Sequence, residues 1–214
     1  MAGDERKLRE SQIASYGQLM SGFSHDMKNH LSIIRESAGL IADFVEINAA
    51  RMDPALVERF QKTTDLIEKR VVISAGLFHH LSSFAHRSDT PISSFALSEV
   101  VAEMAAFVER PARLREVKLE LKNNADAVLL NSPSLLQFLF YRLYMHCLDQ
   151  LGKGDILTLE TSGVNGAAVL RMDGGKPLSL AGFPNEEEAT ALSLLGGKIS
   201  EENGIVLRLG SVAV

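Results

Sequence analysis

The run from Phe23 to Ile34 holds the residues of this chain best suited to chemistry, which are His25, Asp26 and Asn29. A carboxylate beside an imidazole can hold one ring tautomer, and an imidazole held in this way is suited to nucleophilic attack or to carrying a phosphoryl group. Asn29 follows His25 by four residues, so the two side chains lie on one face of a helix. The three residues therefore predict a histidine that takes part in covalent chemistry.

The apolar residues around His25 predict which way it points. They recur at spacings of three and four, which is typical of an amphipathic helix with one buried stripe: Met20, Phe23, Met27, Leu31, Ile34, Ala38, Ile41 and Val45. At about 100° per residue, His25 lies roughly 200° from both Phe23 and Met27. We therefore expect His25 to face solvent.

Composition restricts the class of protein. The 214 residues are 46% hydrophobic, with a net charge of −5 and no dense Lys/Arg cluster, which argues against nucleic acid or a membrane surface as the main partner. No apolar run approaches the roughly 20 residues that span a bilayer, and residues 1–7 lack a secretory apolar region. Cys147 is the only cysteine, which excludes an intrachain disulfide. We expect a cytosolic protein.

Residues 1–88 predict a hairpin of two long helices. Asp53 and Pro54 are expected to begin the second helix as its N-cap and first residue. A second apolar stripe then comprises Val57, Phe60, Thr64, Ile67, Val71, Ala75, Phe78, Leu81 and Ala85. Each helix exceeds thirty residues, or about 50 Å. One hairpin cannot cover both stripes, which favours a homodimer with a four-helix bundle; packing against the C-terminal half is the alternative.

Residues 89–214 predict an α+β domain, which follows a linker at 87–91. Ser98 is expected to cap a helix that ends near Glu109, and Ser132-Pro133 to begin a helix that ends near Leu151. Alternating patterns predict strands near 117–121, 127–130, 155–161 and 167–173, with a hairpin turn at 163–166. A helix at 185–195 is expected to end at Gly196-Gly197 and to be followed by strand material up to 206–209. Helices on one face of a largely antiparallel sheet are expected.

The segment His25-Asp26-Met27-Lys28-Asn29 resembles the phosphoacceptor motif of sensor histidine kinases. That motif is a histidine followed by an acid, with Asn or Thr four residues after the histidine. The order of elements is also similar, from about Tyr16 to the C-terminus. The resemblance implies a dimerisation and phosphoacceptor hairpin at 1–88 and a kinase-type ATP-binding α/β sandwich at 89–214.

The residues of the family's ATP site are largely absent. Alignment from Ser132-Pro133 places Arg142 and His146 where the family has asparagines, the second of which binds Mg²⁺. A cation repels Mg²⁺, and a histidine is a poor ligand for this hard ion. The Asp-x-Gly-x-Gly loop survives only as the segment from Asp173 to Pro177, and the second glycine-rich loop is replaced by the acidic run Glu186–Glu188, which would repel a triphosphate.

A phosphoacceptor without an ATP site resembles the ChpT-type histidine phosphotransferases, which pass phosphoryl groups between response-regulator receiver domains. The resemblance implies that His25 is the phosphoryl carrier, that Asp26 accepts a hydrogen bond from Nδ1–H of His25, and that Asn29 orients a water or the receiver. It implies no cofactor and no metal in this chain. Lys28 is expected to offset phosphate charge. The receiver is expected to dock around Ser21, Ser24, Ser32 and Arg35.

Two other functions stay open. The first is a divergent histidine kinase that binds ATP through Asp173 and autophosphorylates His25. The second is an adaptor that docks receivers without phosphoryl chemistry. Among the remaining side chains, His30 is expected to be partly buried and Cys147 to be a buried small hydrophobe. His79, His80 and His86 are expected to be surface or bundle-end residues, and His146 a helix histidine with a hydrogen-bond partner.

Overall fold

The computed structural model describes residues 2–87, 90–123, 127–164 and 167–211. The chain divides into two compact units, Met1–His86 and Arg87–Val214. Within the described residues, no helix combines the length and the apolar character that crossing a membrane requires.

The first unit is a helical hairpin. Helix α1 spans Ala2–Asn48, helix α2 spans Pro54–His86, and a short 3-10 helix, Ala49–Arg51, lies between them. The backbone N–H of Ala55 donates to Oδ1 of Asp53 at 2.8 Å, so the predicted N-terminus of α2 is confirmed.

The two helices pack through residues spaced by seven, which we call the seam. Seven residues are two turns of a supercoiled helix, so such residues stay on the side that faces the partner helix. Those of α1 are Gly17, Ser24, Leu31, Ala38 and Val45, and those of α2 are Val57, Thr64, Val71, Phe78 and Ala85; all are buried except Leu31, Val57 and Phe78, which are half-buried. Many are small, which lets the helices approach closely.

The predicted single buried stripe of α1 is therefore only partly correct. Met20, Phe23, Ile34 and Ile41 keep 45–54% of their surface exposed. One neighbouring helix covers a narrow strip of α1, and these side chains lie beside that strip. His30 is exposed, so its predicted partial burial is wrong.

The second unit is an α+β domain, as predicted. Its strands are β1 (Ser93–Ala96), β2 (Lys118–Asn123), β3 (Val128–Asn131), β4 (Ile156–Val164), β5 (Ala167–Asp173), β6 (Lys198–Glu201) and β7 (Ile205–Leu209), and its helices are α3 (Leu97–Leu114), α4 (Pro133–Leu148) and α5 (Glu186–Leu194). The five-stranded sheet has the order β2-β4-β5-β7-β6, in which only the β2/β4 pairing is parallel. Strands β1 and β3 form a separate antiparallel pair.

The core of the second unit lies between one face of the sheet and helices α3 and α4. Alternate residues of β4, β5 and β7 point into it, and the fully buried side chains include Leu136, Phe140, Tyr144, Leu159 and Leu170. The hydroxyl of Tyr144 donates to the carbonyl oxygen of Val108 at 2.9 Å, which ties α4 to α3. Burial raises the pKa of Tyr144 to about 12.

Several predicted boundaries in this unit are wrong. Helix α3 begins at Leu97 without a side-chain cap and ends at Leu114, so Ser98 is not its cap and Glu109 is not its end. Strand β1, which precedes it, was not predicted. Helix α4 is capped by Ser132 as predicted but ends at Leu148.

The predicted turn at 163–166 belongs partly to the sheet. Gly163 and Val164 pair with Ala168 and Ala167 in β5. The other two turn residues, Asn165 and Gly166, lie outside the described residues, as do Ser88 and Asp89 of the predicted linker.

Candidate functional site

The position of His25 on α1 follows from the seam. Its neighbour Ser24 is fully buried in the seam, and one residue turns the helix by about 100°, so His25 points out of the hairpin. The side chains of His25 and Asp26 are both 75% exposed. The imidazole is therefore open to a macromolecular partner, as the spacing of the apolar residues predicts.

The structure places Asp26 and Asn29 beside the same ring nitrogen of His25. Nδ2 of Asn29 lies 3.4 Å from Nδ1 of His25, within long hydrogen-bond distance. Oδ1 of Asp26 lies 3.7 Å from Nδ1, close enough for charge interaction but too far for a good hydrogen bond. Nε2, on the other side of the ring, is the nitrogen directed away from both neighbours.

The expected docking surface around His25 needs one correction. Ser24 is not part of an accessible surface, because it is fully buried and its hydroxyl donates to the carbonyl oxygen of Met20 at 2.7 Å. Ser21 and Ser32 are half-buried and Arg35 is exposed, so these three residues remain on the surface. Lys28 is also half-buried.

Sequence reasoning missed the contribution of α2 to this surface. Nε2 of His86, the last residue of α2, lies 3.0 Å from Oγ of Ser21, which is one turn before His25. The rings of Phe23 and Phe78 lie 6.0 Å apart, so the last turns of α2 run alongside the part of α1 that carries His25. His86 is thus close to the candidate site and not merely a residue at a helix end.

In the second unit, polar side chains on one face of α4 and just after its end bind the chain's own residues. Arg142, His146 and Gln150 follow one another at intervals of four, so they share a face. Nε of Arg142 donates to Oε1 of Glu188 at 2.5 Å, and this bond raises the pKa of the guanidinium. Nε2 of His146 lies 2.7 Å from the carbonyl oxygen of Ser179.

The segment that supplies these partners, residues 178–188, is held against α4 by several contacts. The side-chain amide of Gln150 forms two hydrogen bonds with Ser179, donating to its carbonyl oxygen at 2.9 Å and accepting from its N–H at 2.8 Å. The rings of His146 and Phe183 lie 5.1 Å apart. Glu188 is almost fully buried, and its second oxygen accepts the N–H of Asn185 at 2.7 Å in a capping box that begins α5.

These contacts bear directly on the nucleotide site that the sequence resemblance suggests. Arg142 and His146, which stand where the family has its asparagines, both have partners within the chain. Glu188, paired with Arg142 and almost fully buried, occupies this same face. The described residues therefore do not fit Mg²⁺ and ATP at this place.

Asp173 and the following glycines have local structural roles. Oδ1 of Asp173 accepts the N–H of Gly175 at 2.8 Å, and Gly175 has φ of +68°, a conformation that favours glycine. A Cβ on the buried Gly174 would lie 2.9 Å from a methyl carbon of Leu151. Turn geometry and packing thus account for this sequence without a nucleotide.

No group of three or more His, Cys, Asp or Glu side chains in the described part of the chain is placed to bind a metal ion. Cys147 is fully buried, as predicted, and burial raises the pKa of its thiol to about 12.

No model of a known protein family matches the chain. The chain is 23% identical over 217 residues to the sensor histidine kinase ZraS of Salmonella typhi. That match covers 95% of this chain but only 44% of the relative, so the chain spans less than half the length of that kinase. The similarity supports the resemblance to the histidine kinase core.

Solved histidine kinases are loosely similar in structure. The catalytic domain of histidine kinase ThkA matches with a TM-score of 0.46 and 14% identity, over 57% of this chain and 98% of that one. The histidine kinase AdeS of Acinetobacter baumannii matches with a TM-score of 0.46 and 10% identity, over 83% and 97% of the two chains. ThkA in complex with response regulator TrrA matches with a TM-score of 0.42 and 16% identity, over 97% and 65%.

Proposed function

We propose that this chain is a two-component signalling protein in which His25 carries a phosphoryl group between receiver-domain aspartates without using ATP. The observation that supports this most strongly is that Arg142 and His146 of α4, with Gln150 just after it, bind the chain's own residues. His25, by contrast, is open to solvent on a helix resembling a kinase phosphoacceptor helix. In this proposal the chain keeps the acceptor, while the described residues that stand at the family's asparagine positions are engaged within the chain.

The chemistry at His25 is a reversible transfer. Nε2 uses its lone pair to form an N–P bond as the P–O bond of a receiver's phosphoaspartate breaks, and the electron pair returns to the aspartate carboxylate. The proton stays on Nδ1, where the nearby carboxylate of Asp26 offsets the positive charge of the ring. Lys28 lies three residues along the helix and contributes positive charge near the phosphoryl group.

The partners follow from the same surface. The proposed docking site for a receiver domain is the exposed part of α1 around His25 and Arg35, with Ser21 and His86 beside it. Asn29 is available there to orient a water or the receiver. Any Mg²⁺ that the transfer requires belongs to the receiver in this proposal.

Self-association of the hairpin completes the proposal. Met20, Phe23, Ile34 and Ile41 form an apolar surface beside the seam, about half exposed in the single chain. Burying such side chains stabilises an assembly by about 25 cal/mol per Å². A second copy related by a two-fold axis would bury the same surface on both chains and form a four-helix bundle.

The decisive experiment uses two phosphoryl donors. Incubation with a ³²P-labelled phosphorylated receiver is expected to label His25 and then a second receiver, whereas Mg²⁺ and labelled ATP are expected to leave the chain unlabelled. His25→Ala should abolish transfer, and His30→Ala, which removes another exposed histidine of α1, should not. Labelling by ATP would establish a kinase instead. Receiver binding without labelling of His25 would establish an adaptor.

A further inference from the structure

The two polar neighbours of His25 make opposite demands on its imidazole ring. Asn29 and Asp26 both approach Nδ1, at 3.4 Å and 3.7 Å. The amide nitrogen of Asn29 can only donate a hydrogen, so its bond requires Nδ1 to be bare, with the ring proton on Nε2. The carboxylate of Asp26 can only accept; at 3.7 Å its negative charge favours the proton on Nδ1 without a good hydrogen bond. The ring can satisfy only one neighbour at a time.

These two tautomers differ in reactivity. With the proton on Nδ1, Nε2 has a free lone pair directed into solvent and can attack phosphorus. With the proton on Nε2, that lone pair is absent and the bare nitrogen, Nδ1, is covered by the amide of Asn29. The contact of Asn29, which favours the unreactive Nε2–H tautomer, is the closer of the two.

We propose that Asn29 is a positioning residue that competes with Asp26 for Nδ1 of His25 and holds part of the protein in the unreactive Nε2–H tautomer. This inference rests on the proposed phosphoryl transfer at His25 for its functional consequence, but not for the tautomer itself. In this arrangement Asn29 limits attack on phosphoaspartate, and Asp26 promotes it. A docked receiver that draws the amide of Asn29 away would release Nδ1 for a proton and so prepare Nε2.

The sign of one substitution tests the competition. Asn29→Ala removes the donor and is expected to raise the ratio of the Nδ1–H to the Nε2–H tautomer by about two- to fivefold, the range of one exposed hydrogen bond. Asn29→Asp places a second acceptor beside Nδ1 and should raise the ratio further. Asp26→Asn should lower it.

The tautomer ratio is measured on the full chain by ¹⁵N–¹H NMR of ¹⁵N-histidine, with His25 assigned by its loss in His25→Gln. Asn48→Ala is the matched control, because Asn48 is another asparagine of α1 and its Nδ2 donates to the carbonyl oxygen of Phe44, far from His25. An unchanged or lowered Nδ1–H population in Asn29→Ala overturns the proposal, since it means that the amide oxygen of Asn29 supports Nδ1–H.

Transfer from phosphorylated receiver is measured on the same variants, at saturating receiver so that docking does not limit the rate. The rate of His25 labelling follows the fraction of the Nδ1–H tautomer, so in Asn29→Ala it is expected to rise, by less than the change of about two- to fivefold in the tautomer ratio. A changed tautomer ratio together with no labelling of the wild-type chain refutes the phosphotransferase function and leaves the competition standing. Normal labelling with an unchanged ratio refutes the competition alone.

Discussion

Arg87 forms a buried ion pair at the start of the second unit, and its removal should be costly. Its Nε and Nη2 donate to the two carboxylate oxygens of Glu103 at 2.7 and 2.8 Å, and Nη2 lies 3.5 Å from Glu99. The hydrogen bond with Glu103 raises the pKa of the guanidinium, which also lies 5.8 Å from the ring of Phe95. The side chains of Arg87 and Glu103 are only 15% and 11% exposed.

The expected effect of Arg87→Met follows from this burial. Removing one partner of a fully buried pair costs about 3–5 kcal/mol, because the remaining charge is left without a partner. Since both side chains keep some contact with water, we expect about 2–3 kcal/mol of lost unfolding free energy. The double variant Arg87→Met with Glu103→Met should lie within about 1 kcal/mol of the wild type, because it buries no unpaired charge.

Urea unfolding is a suitable assay, followed by circular dichroism and by tyrosine fluorescence. The chain has no tryptophan and three tyrosines, of which Tyr141 and Tyr144 lie on α4 of the second unit. Lys153→Met is the control, since its ion pair with Glu116 is 77% and 60% exposed and is worth about 0–1 kcal/mol. A loss below about 0.5 kcal/mol in Arg87→Met, or a double variant less stable than either single one, would refute this reasoning.

Three further predictions concern the seam, the assembly and the buried thiol. Ala38→Leu should lower the free energy of unfolding of the hairpin by about 1–3 kcal/mol because it overpacks the seam. Gly39→Ala, whose new Cβ meets no atom within 4 Å, should raise that free energy by about 0.5–1 kcal/mol. Thermal unfolding of both variants checks this, and equal effects would contradict the proposed seam. Ile34→Asp with Ile41→Asp should abolish self-association in sedimentation experiments, and Ile47→Asp, 82% exposed near the end of α1, should not; a monomeric wild type would refute the dimer. Burial raises the pKa of Cys147 to about 12, while an unfolded thiol has a pKa near 8.5. Unfolding above about pH 8.5 therefore releases a proton. The free energy of unfolding should fall by up to about 1.4 kcal/mol per pH unit between pH 9 and 10. Unfolding measurements that show the same slope in Cys147→Ala would contradict this assignment.

The sequence predicted best what local chemistry decides. Asp53, Ser132 and Asn185 mark the starts of three helices through their own side chains, and the exposure of His25 follows from helix geometry alone. Strand β1 was missed because Ser93–Ala96 holds only one large apolar residue, Phe95, and so shows no alternating pattern. Helix α3 continues past Pro111, although proline in a helix usually signals an end.

The candidate site could be predicted in part for the same reason. His25, Asp26 and Asn29 are close in sequence, so a pattern places them together. Ser24 was misplaced because its polarity suggests a surface position, while its bond to the Met20 carbonyl makes burial inexpensive. The contacts of residues 178–188 with α4 and Gln150, such as the hydrogen bond from Gln150 to Ser179, join distant parts of the sequence, so no local pattern predicts them.

The spacing of seven in the hairpin also limits how its length can change. His25 directly follows a seam residue, so its direction is set by the phase of the repeat. An insertion of one to three residues in α1 would rotate the part of the helix beyond the insertion by about 100° per residue relative to α2. Seam residues in that part would then no longer face α2, and the direction of His25 relative to the rest of its docking surface would change. An insertion of seven residues would preserve the phase. Hairpins of this design are therefore expected to tolerate changes of length in steps of seven.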